Sequence, residues 1–164
     1  MNKNDLLELF EYNLWAKERL LDSLSEIEQG DFLKDLNSSH GGIHGTLFHM
    51  VNAENIWLSR LEGQQVDSLD PSQLNNVQAF RKVWDSLDNR MKGVLAALND
   101  PQLQEKVEYQ DSKGNKHFHP KLWAFNQLFN HFTYHRGQIV AMQRQLGYKP
   151  ANTDLIGFYR ERRS

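Results

Sequence analysis

Four stretches of this chain, each several turns long, repeat their apolar side chains at the 3.6-residue period of an α-helix. That repetition limits the fold more than any other feature, because each stripe must be buried against another element. Over residues 4–29, Leu6, Leu9, Phe10, Leu14, Leu20, Leu21 and Leu24 share one face, and Gly30 is the expected stop. The second stretch opens at Ser38-Ser39, read as N-caps, and runs to Leu61 and Gly63, with Ile43, Leu47, Met50, Val51, Trp57, Leu58 and Leu61 on its apolar side. A polar linker leads to Asp70-Pro71, which reads as an N-cap followed by a first-turn proline. The third helix then shows the cleanest seam: Phe80, Val83, Trp84, Leu87, Met91, Val94 and Leu98, closed by Asn99-Asp100-Pro101.

Residues 107–118 break the pattern, with short arms around a polar Ser112-Lys113-Gly114-Asn115 turn, and are expected to form a small hairpin. Pro120 opens a fourth long helix that ends at Leu146 and Gly147, and Thr153 is the N-cap candidate for a short helix over residues 154–160. The expected fold is all-α: an antiparallel four-helix bundle with a small β-hairpin insertion before the last long helix, in one domain over residues 1–164.

Composition narrows the function classes. The chain has no cysteine, which excludes a disulfide framework, cysteine-based zinc fingers, iron–sulfur clusters and a thiol nucleophile. Its 19 basic and 21 acidic residues give a net charge of −2, and no basic stripe recurs on a helix face, so nucleic acid is not an expected partner. No apolar run is long enough to span a bilayer, and the charged start MNKNDLLELFEYN lacks a signal-peptide core, so a cytoplasmic location is expected.

Seven histidines remain to be explained. His131 and His135 lie four apart, hence on one helix face, together with Ala124, Leu128, Ile139 and Met142. Ring nitrogens on a core-facing stripe need partners, and a divalent metal serves as well as hydrogen bonds to neighbouring helices. Periodicity leaves a third ligand open among His40, His44 and His49. His40 and His44 sit near the expected helix start, where solvent is the default environment. His49 lies about 140° from the centre of the apolar stripe, on the side of Thr46, Ala53 and Ile56, which suits a face lining a cleft. On wheel position alone His44 is the better inward-facing candidate. His117 and His119 flank the hairpin turn and read as exposed.

Three further polar residues stand out. Asn13 and Lys17 fall inside the apolar arc of the first helix, which suggests pocket residues or, for the lysine, a side chain that snorkels out of the bundle. Gln138 shares the side of His131 and is placed to orient an imidazole or a water. The tryptophans and phenylalanines read as core, and Arg160, Arg162 and Arg163 as a solvated end.

Several of these runs, in this order, resemble the DinB/YfiT superfamily: Tyr12-Asn13-Leu14-Trp15-Ala16, Ile43-His44-Gly45-Thr46-Leu47-Phe48-His49, His131-Phe132-Thr133-Tyr134-His135-Arg136-Gly137-Gln138 and Thr153-Asp154-Leu155-Ile156. The resemblance covers residues 6–160, and the His-x3-His-Arg-Gly-Gln run with an upstream histidine is its most specific part. It implies a four-helix bundle with an unusual long connection, often a homodimer, and a divalent metal held by three histidines. Carried over by position, the ligands are His49, His131 and His135, which settles the choice the wheel leaves open. Tyr134 stands where the family often has a further histidine.

Zinc and nickel are the ions such a site most readily implies, although three imidazoles also accept copper or iron. The resemblance implies a metal-dependent enzyme acting on a small molecule, foremost S-transfer from a low-molecular-weight thiol to a small electrophile. The alternatives are hydrolysis by metal-activated water and a non-enzymatic, metal-stabilised stress-response module. In the enzymatic readings His49, His131 and His135 are ligands, Gln138 supports them, and Asn13 and Lys17 are pocket candidates.

Overall fold

The computed structural model describes residues 1–111 and 113–162. It comprises α1 (Lys3–Ser25), α2 (Gln29–Leu33), α3 (Ile43–Glu62), a 3-10 turn (Pro71–Gln73), α4 (Val77–Ala97), α5 (Asp100–Leu103), β1 (Lys106–Gln110), β2 (Lys116–Pro120), α6 (Lys121–Gln145) and α7 (Leu155–Arg162). The four long helices are α1, α3, α4 and α6, and the expected helical fold with a small hairpin is the one observed.

Each of α1 and α3 packs against both α4 and α6. Side-chain contacts between the helices give their directions. Lys3 Nζ donates to the Ala96 carbonyl at one end, while Arg81 pairs with Glu18 and Asp22 at the other, so α1 and α4 are antiparallel. Phe10 packs on Phe129 and Gln143 donates to Ser23, so α1 and α6 run parallel. Likewise His44 meets Phe80 and Glu62 pairs with Arg90, which makes α3 and α4 parallel. The chain must therefore travel back along the bundle between α3 and α4. Residues 63–76 do this, fastened where Asn55 donates to the Asp67 carbonyl and where His44 Nε2 meets the Leu74 carbonyl at 2.8 Å.

The seam read for α4 faces the interior: Phe80, Trp84, Leu87 and Met91 are buried, with Val83, Val94 and Leu98 partly so. Several boundaries differ from the sequence expectation. Gly30 does not stop the first helix; α1 ends at Ser25 and Gly30 lies within α2. Ser38 and Ser39 do not cap α3. Gly41 takes a left-handed φ of 80°, which turns the chain out of a helical path, and Gly42 becomes the N-cap. Asp70-Pro71 opens only the 3-10 turn, while Asn76 caps α4 by accepting from Ala79 N at 2.9 Å. Asn99 forms a capping box with Gln102, so the segment that ends α4 also begins α5.

The hairpin pairs β1 and β2 antiparallel, with Tyr109 opposite His117. Within its turn, Asp111 accepts from the backbone of Lys113 and Asn115, and Gly114 takes a φ of 81°; Ser112 lies outside the described residues. Aromatic residues are not uniformly core, since Phe118 is 52 % and Trp123 59 % exposed. At the C-terminal end, α7 docks on α1 through Phe158, Tyr12 and Ala16. Arg162 is paired with Glu8 and Glu11 rather than simply solvated, and Arg163 lies outside the described residues. Among the described residues, no helix is long and apolar enough to cross a membrane.

Candidate metal centre

Where α3 passes α6, three histidines turn their ring nitrogens toward one another. His49 comes from α3, and His131 and His135 from successive turns of α6. His131 Nε2 lies 2.9 Å from His49 Nε2 and 3.0 Å from His135 Nε2. The three ring planes are mutually inclined, at 56° for His49 and His131, 71° for His131 and His135, and 75° for His49 and His135. A neutral imidazole nitrogen carries either one hydrogen or one lone pair, so His131 Nε2 cannot make both contacts as hydrogen bonds at once. Its Nδ1 is buried without a partner. This donor set is therefore incompletely satisfied by the protein alone, and it suits a divalent cation.

The electrostatics agree with that chemistry. Burial pushes His49 down to about 4, helped by the nearby rings of His40 and His135. Burial likewise lowers His131 to about 4, again reinforced by neighbouring histidines. His135 is lowered chiefly by burial, with the Gln138 hydrogen bond opposing. At neutral pH the rings are thus uncharged, as metal ligation requires. His135 Nδ1 donates to Gln138 Oε1 at 2.6 Å, which places the lone pair of that ring on Nε2, facing the cluster.

A fourth histidine lies alongside. His40, His49 and His135 offer ring nitrogens within 4.8 Å of one another. His40 stacks on His49 with centroids 3.9 Å apart and planes 17° from parallel. Imidazole lone pairs lie in the ring plane, so two nearly parallel stacked rings cannot both aim at one ion. His40 was expected at a solvated helix start, but it sits in the loop before α3, pressed against that helix's first turn. The one sequence signal for this position is the glycine set around it: a Cβ at Gly45 would come within 1.9 Å of the His40 carbonyl oxygen, and one at Gly42 within 2.0 Å of that of Lys34.

Other histidines lie elsewhere. His44, the wheel's candidate, points to the opposite side, between Phe32 and Phe80. His117 pairs with Asp111 at 3.0 Å and stacks on Tyr109, while His119 stacks on Trp123, so neither is simply solvated. Tyr134 is 63 % exposed and lies against His135, with centroids 4.9 Å apart.

A family profile for the DinB family matches residues 1–163. The chain belongs to the DinB family. This DinB-family chain is 26 % identical over 159 residues to Protein DinB of Bacillus subtilis (strain 168), covering 92 % of this chain and 91 % of that protein. It is 19 % identical over 152 residues to Uncharacterized protein YizA of the same strain, covering 93 % and 94 %. Its fold is shared with a crystal structure of a DinB-like protein from Bacillus cereus ATCC 10987, with a TM-score of 0.66 at 19 % identity, covering 93 % of this chain and 99 % of that one. It is also shared with a conserved protein from Enterococcus faecalis, with a TM-score of 0.64 at 14 % identity, covering 83 % and 93 %. Family membership and the histidine cluster together are compatible with a metal-binding DinB-like protein.

Two pocket candidates of this DinB-family chain sit apart from the histidines. Asn13 Oδ1 accepts from Arg136 at 2.7 Å, and Lys17 Nζ pairs with Asp85 at 2.5 Å, Asp88 at 2.6 Å and Glu18 at 2.9 Å. Lys17 therefore does not snorkel; its surrounding carboxylates hold its charge inside the bundle. With Glu54, Asp88 and Arg136 these residues line an internal cavity of about 10 Å³, roughly one water. Glu54 carried no sequence signal of burial beyond its place on α3. It is 1 % exposed and accepts from Trp84 Nε1 at 2.6 Å.

Proposed function

We infer that this DinB-family protein is a metal-dependent enzyme in which His49, His131 and His135 hold one divalent ion, zinc or nickel. The carrying observation is the meeting of three mutually inclined imidazoles, uncharged at neutral pH, at a point where His131 Nε2 has two nitrogen neighbours and one bonding capacity. Three protein ligands leave coordination positions open, as in catalytic sites, whereas structural zinc sites are usually closed. When bound, such an ion supplies Lewis-acid chemistry and lowers the pKa of a thiol or water beside it.

The chain's own residues do the rest. Gln138 fixes the tautomer and plane of His135, so that its Nε2 needs no reorganisation to face the centre. His40 covers one face of His49 and limits approach from that side. The half-buried setting lowers the proton affinity of His49 and His131, so protons compete weakly for the same lone pairs. The reaction supported best is S-transfer from a low-molecular-weight thiol to a small electrophile, carried out by a homodimer, as the resemblance to thiol S-transferases in this superfamily implies.

The test is elemental analysis of wild type beside His131→Ala, followed by turnover on a panel of small electrophiles with and without added thiol. About one metal per chain, lost in the variant, together with thiol-dependent turnover, is the expected result. Unchanged metal content in a folded His131→Ala protein overturns the site. Turnover that ignores thiol overturns S-transfer and leaves hydrolysis.

A further inference from the structure

A separate recess lies where α3 and α6 meet the hairpin, with none of the clustered histidines in its lining. Trp57 follows His49 on α3 by two helical turns, and Trp123 precedes His131 on α6 by the same interval. On antiparallel helices this places both tryptophans about 12 Å from the histidines along the helix axes, each about 80° round its helix. There the two helices and the hairpin enclose a cleft of about 360 Å³ lined by Trp57, Tyr109, His119, Trp123, Ala124 and Gln127. That volume falls within the range of small-molecule sites, and so does the make-up of rings and a methyl floor with one amide.

The hairpin supplies two walls. Tyr109 of β1 meets Trp57 edge to face, with centroids 5.1 Å apart and planes at 72°. His119 of β2 lies nearly parallel to Trp123, at 5.8 Å and 27°. Ala124 is buried at the floor, whereas its neighbour Trp123 is 59 % exposed. A ring this large, oriented by one stacking partner and otherwise left in water, is an open half of a stacking site. The Arg60 guanidinium lies 4.1 Å from the Tyr109 centroid and 4.8 Å from that of Trp57, so the wall behind these rings carries positive charge. A cation entering the cleft is repelled by that charge, whereas a neutral ring is not and an anionic one is attracted.

We propose that this cleft is a binding subsite for a flat, uncharged or anionic aromatic ring, the recognition end of a small molecule whose other end reaches the histidine centre. The second half of that statement rests on the metal-centre reading; the binding of the ring does not. The spacing makes the size of the ligand definite, since a molecule bridging both places spans about 12 Å. It also gives the hairpin a role that the four-helix core does not need, because Tyr109 and His119 are the residues that turn an exposed groove into a walled cleft.

The experiment follows the four indole N–H signals by 15N NMR, assigned from single tryptophan replacements, during titration with 1-naphthol. Trp15 and Trp84, which donate to Glu161 and Glu54, are internal references. Saturable shifts at Trp57 and Trp123 with the references unmoved are expected, as is binding about tenfold weaker in Trp123→Ala. Decahydro-1-naphthol, of similar size but not flat, and the cation trimethylanilinium bind less well. An absent or non-saturable response, equal binding of the saturated compound, or indifference to Trp123→Ala overturns the proposal. The titration is repeated on chelator-treated His131→Ala, where the same naphthol binding is expected. Loss of the metal-centre reading in the elemental analysis therefore leaves this result intact, and failure of naphthol binding leaves the metal result intact.

Discussion

Gly45 and His40 are in closer contact than any other residue at position 45 would allow: a Cβ on Gly45 would stand 1.9 Å from the His40 carbonyl oxygen. The backbone of the loop thus lies directly on the first turn of α3, and that seating brings the His40 ring over His49. Gly45→Ala forces the loop outward and is expected to cost about 1–3 kcal/mol, the range for overpacking a tight contact. It also separates the two rings. Gly137 on α6 is the control, since an added Cβ there meets nothing within 4 Å. Gly137→Ala is expected to stabilise by about 0.5–1 kcal/mol through helix propensity alone. Urea denaturation of both variants checks the pair, and equal effects of one sign would contradict the geometry.

Gln138 touches His135 Nδ1, on the far side of the ring from the cluster. Gln138→Ala frees that ring to rotate and leaves its tautomer unassigned, so zinc affinity is expected to fall about 10- to 100-fold with the three ligands intact. Competition against a chromophoric chelator measures this. An unchanged affinity would mean that the packing around His135, which is 4 % exposed, positions it without the amide.

The legible part of this site was the helix-borne part. His131 and His135 could be placed together because four residues always return to one helix face. The choice between His44 and His49 could not be made from the wheel, which measures angle from the apolar stripe of one helix. The decision belongs to the neighbours: α2 and α4 take the side of His44, and α6 takes that of His49. His40 was illegible for another reason, since its position depends on a loop bent at Gly41 rather than on any period. Lys17 illustrates the opposite failure. Its burial was visible in the pattern, but its partners Asp85 and Asp88 come from another helix at a register no single stripe reveals.

The metal-free protein should show the histidine shifts directly. His49 and His131 are held near 4 by burial, below the ordinary value of 6.5. For a group whose folded value is depressed, the stabilising contribution is present above the unfolded value and is lost as pH falls through the folded one. Chelated protein is therefore expected to lose stability between pH 6.5 and about 4 from these two rings. In the folded protein their Cε1–H resonances should titrate near 4, at the lower end of that window. Titration near 6.5 for both would show that the rings are solvated in the metal-free state.

Glu54 carries the opposite sign. Burial raises its carboxyl well above the ordinary value of 4.5, with Asp88 adding to the rise and the Trp84 hydrogen bond opposing it. Asp88 is itself raised to about 6 by burial, against the pull of Lys17. Groups raised in the folded state contribute stability that is complete below the unfolded value and is lost as pH rises through the folded one. Glu54→Gln keeps an oxygen for Trp84 Nε1 while removing the ionisation. The variant should match wild type near pH 4 and become progressively more stable than it toward pH 8. Thermal unfolding of both proteins across that range, with excess chelator to keep the histidine centre metal-free, provides the measurement. Curves that stay parallel from pH 4 to pH 8 would mean that Lys17 and Arg90 hold Glu54 ionised throughout, so that the small cavity it shares with Lys17, Asp88 and Arg136 carries the Glu54 charge as well as theirs.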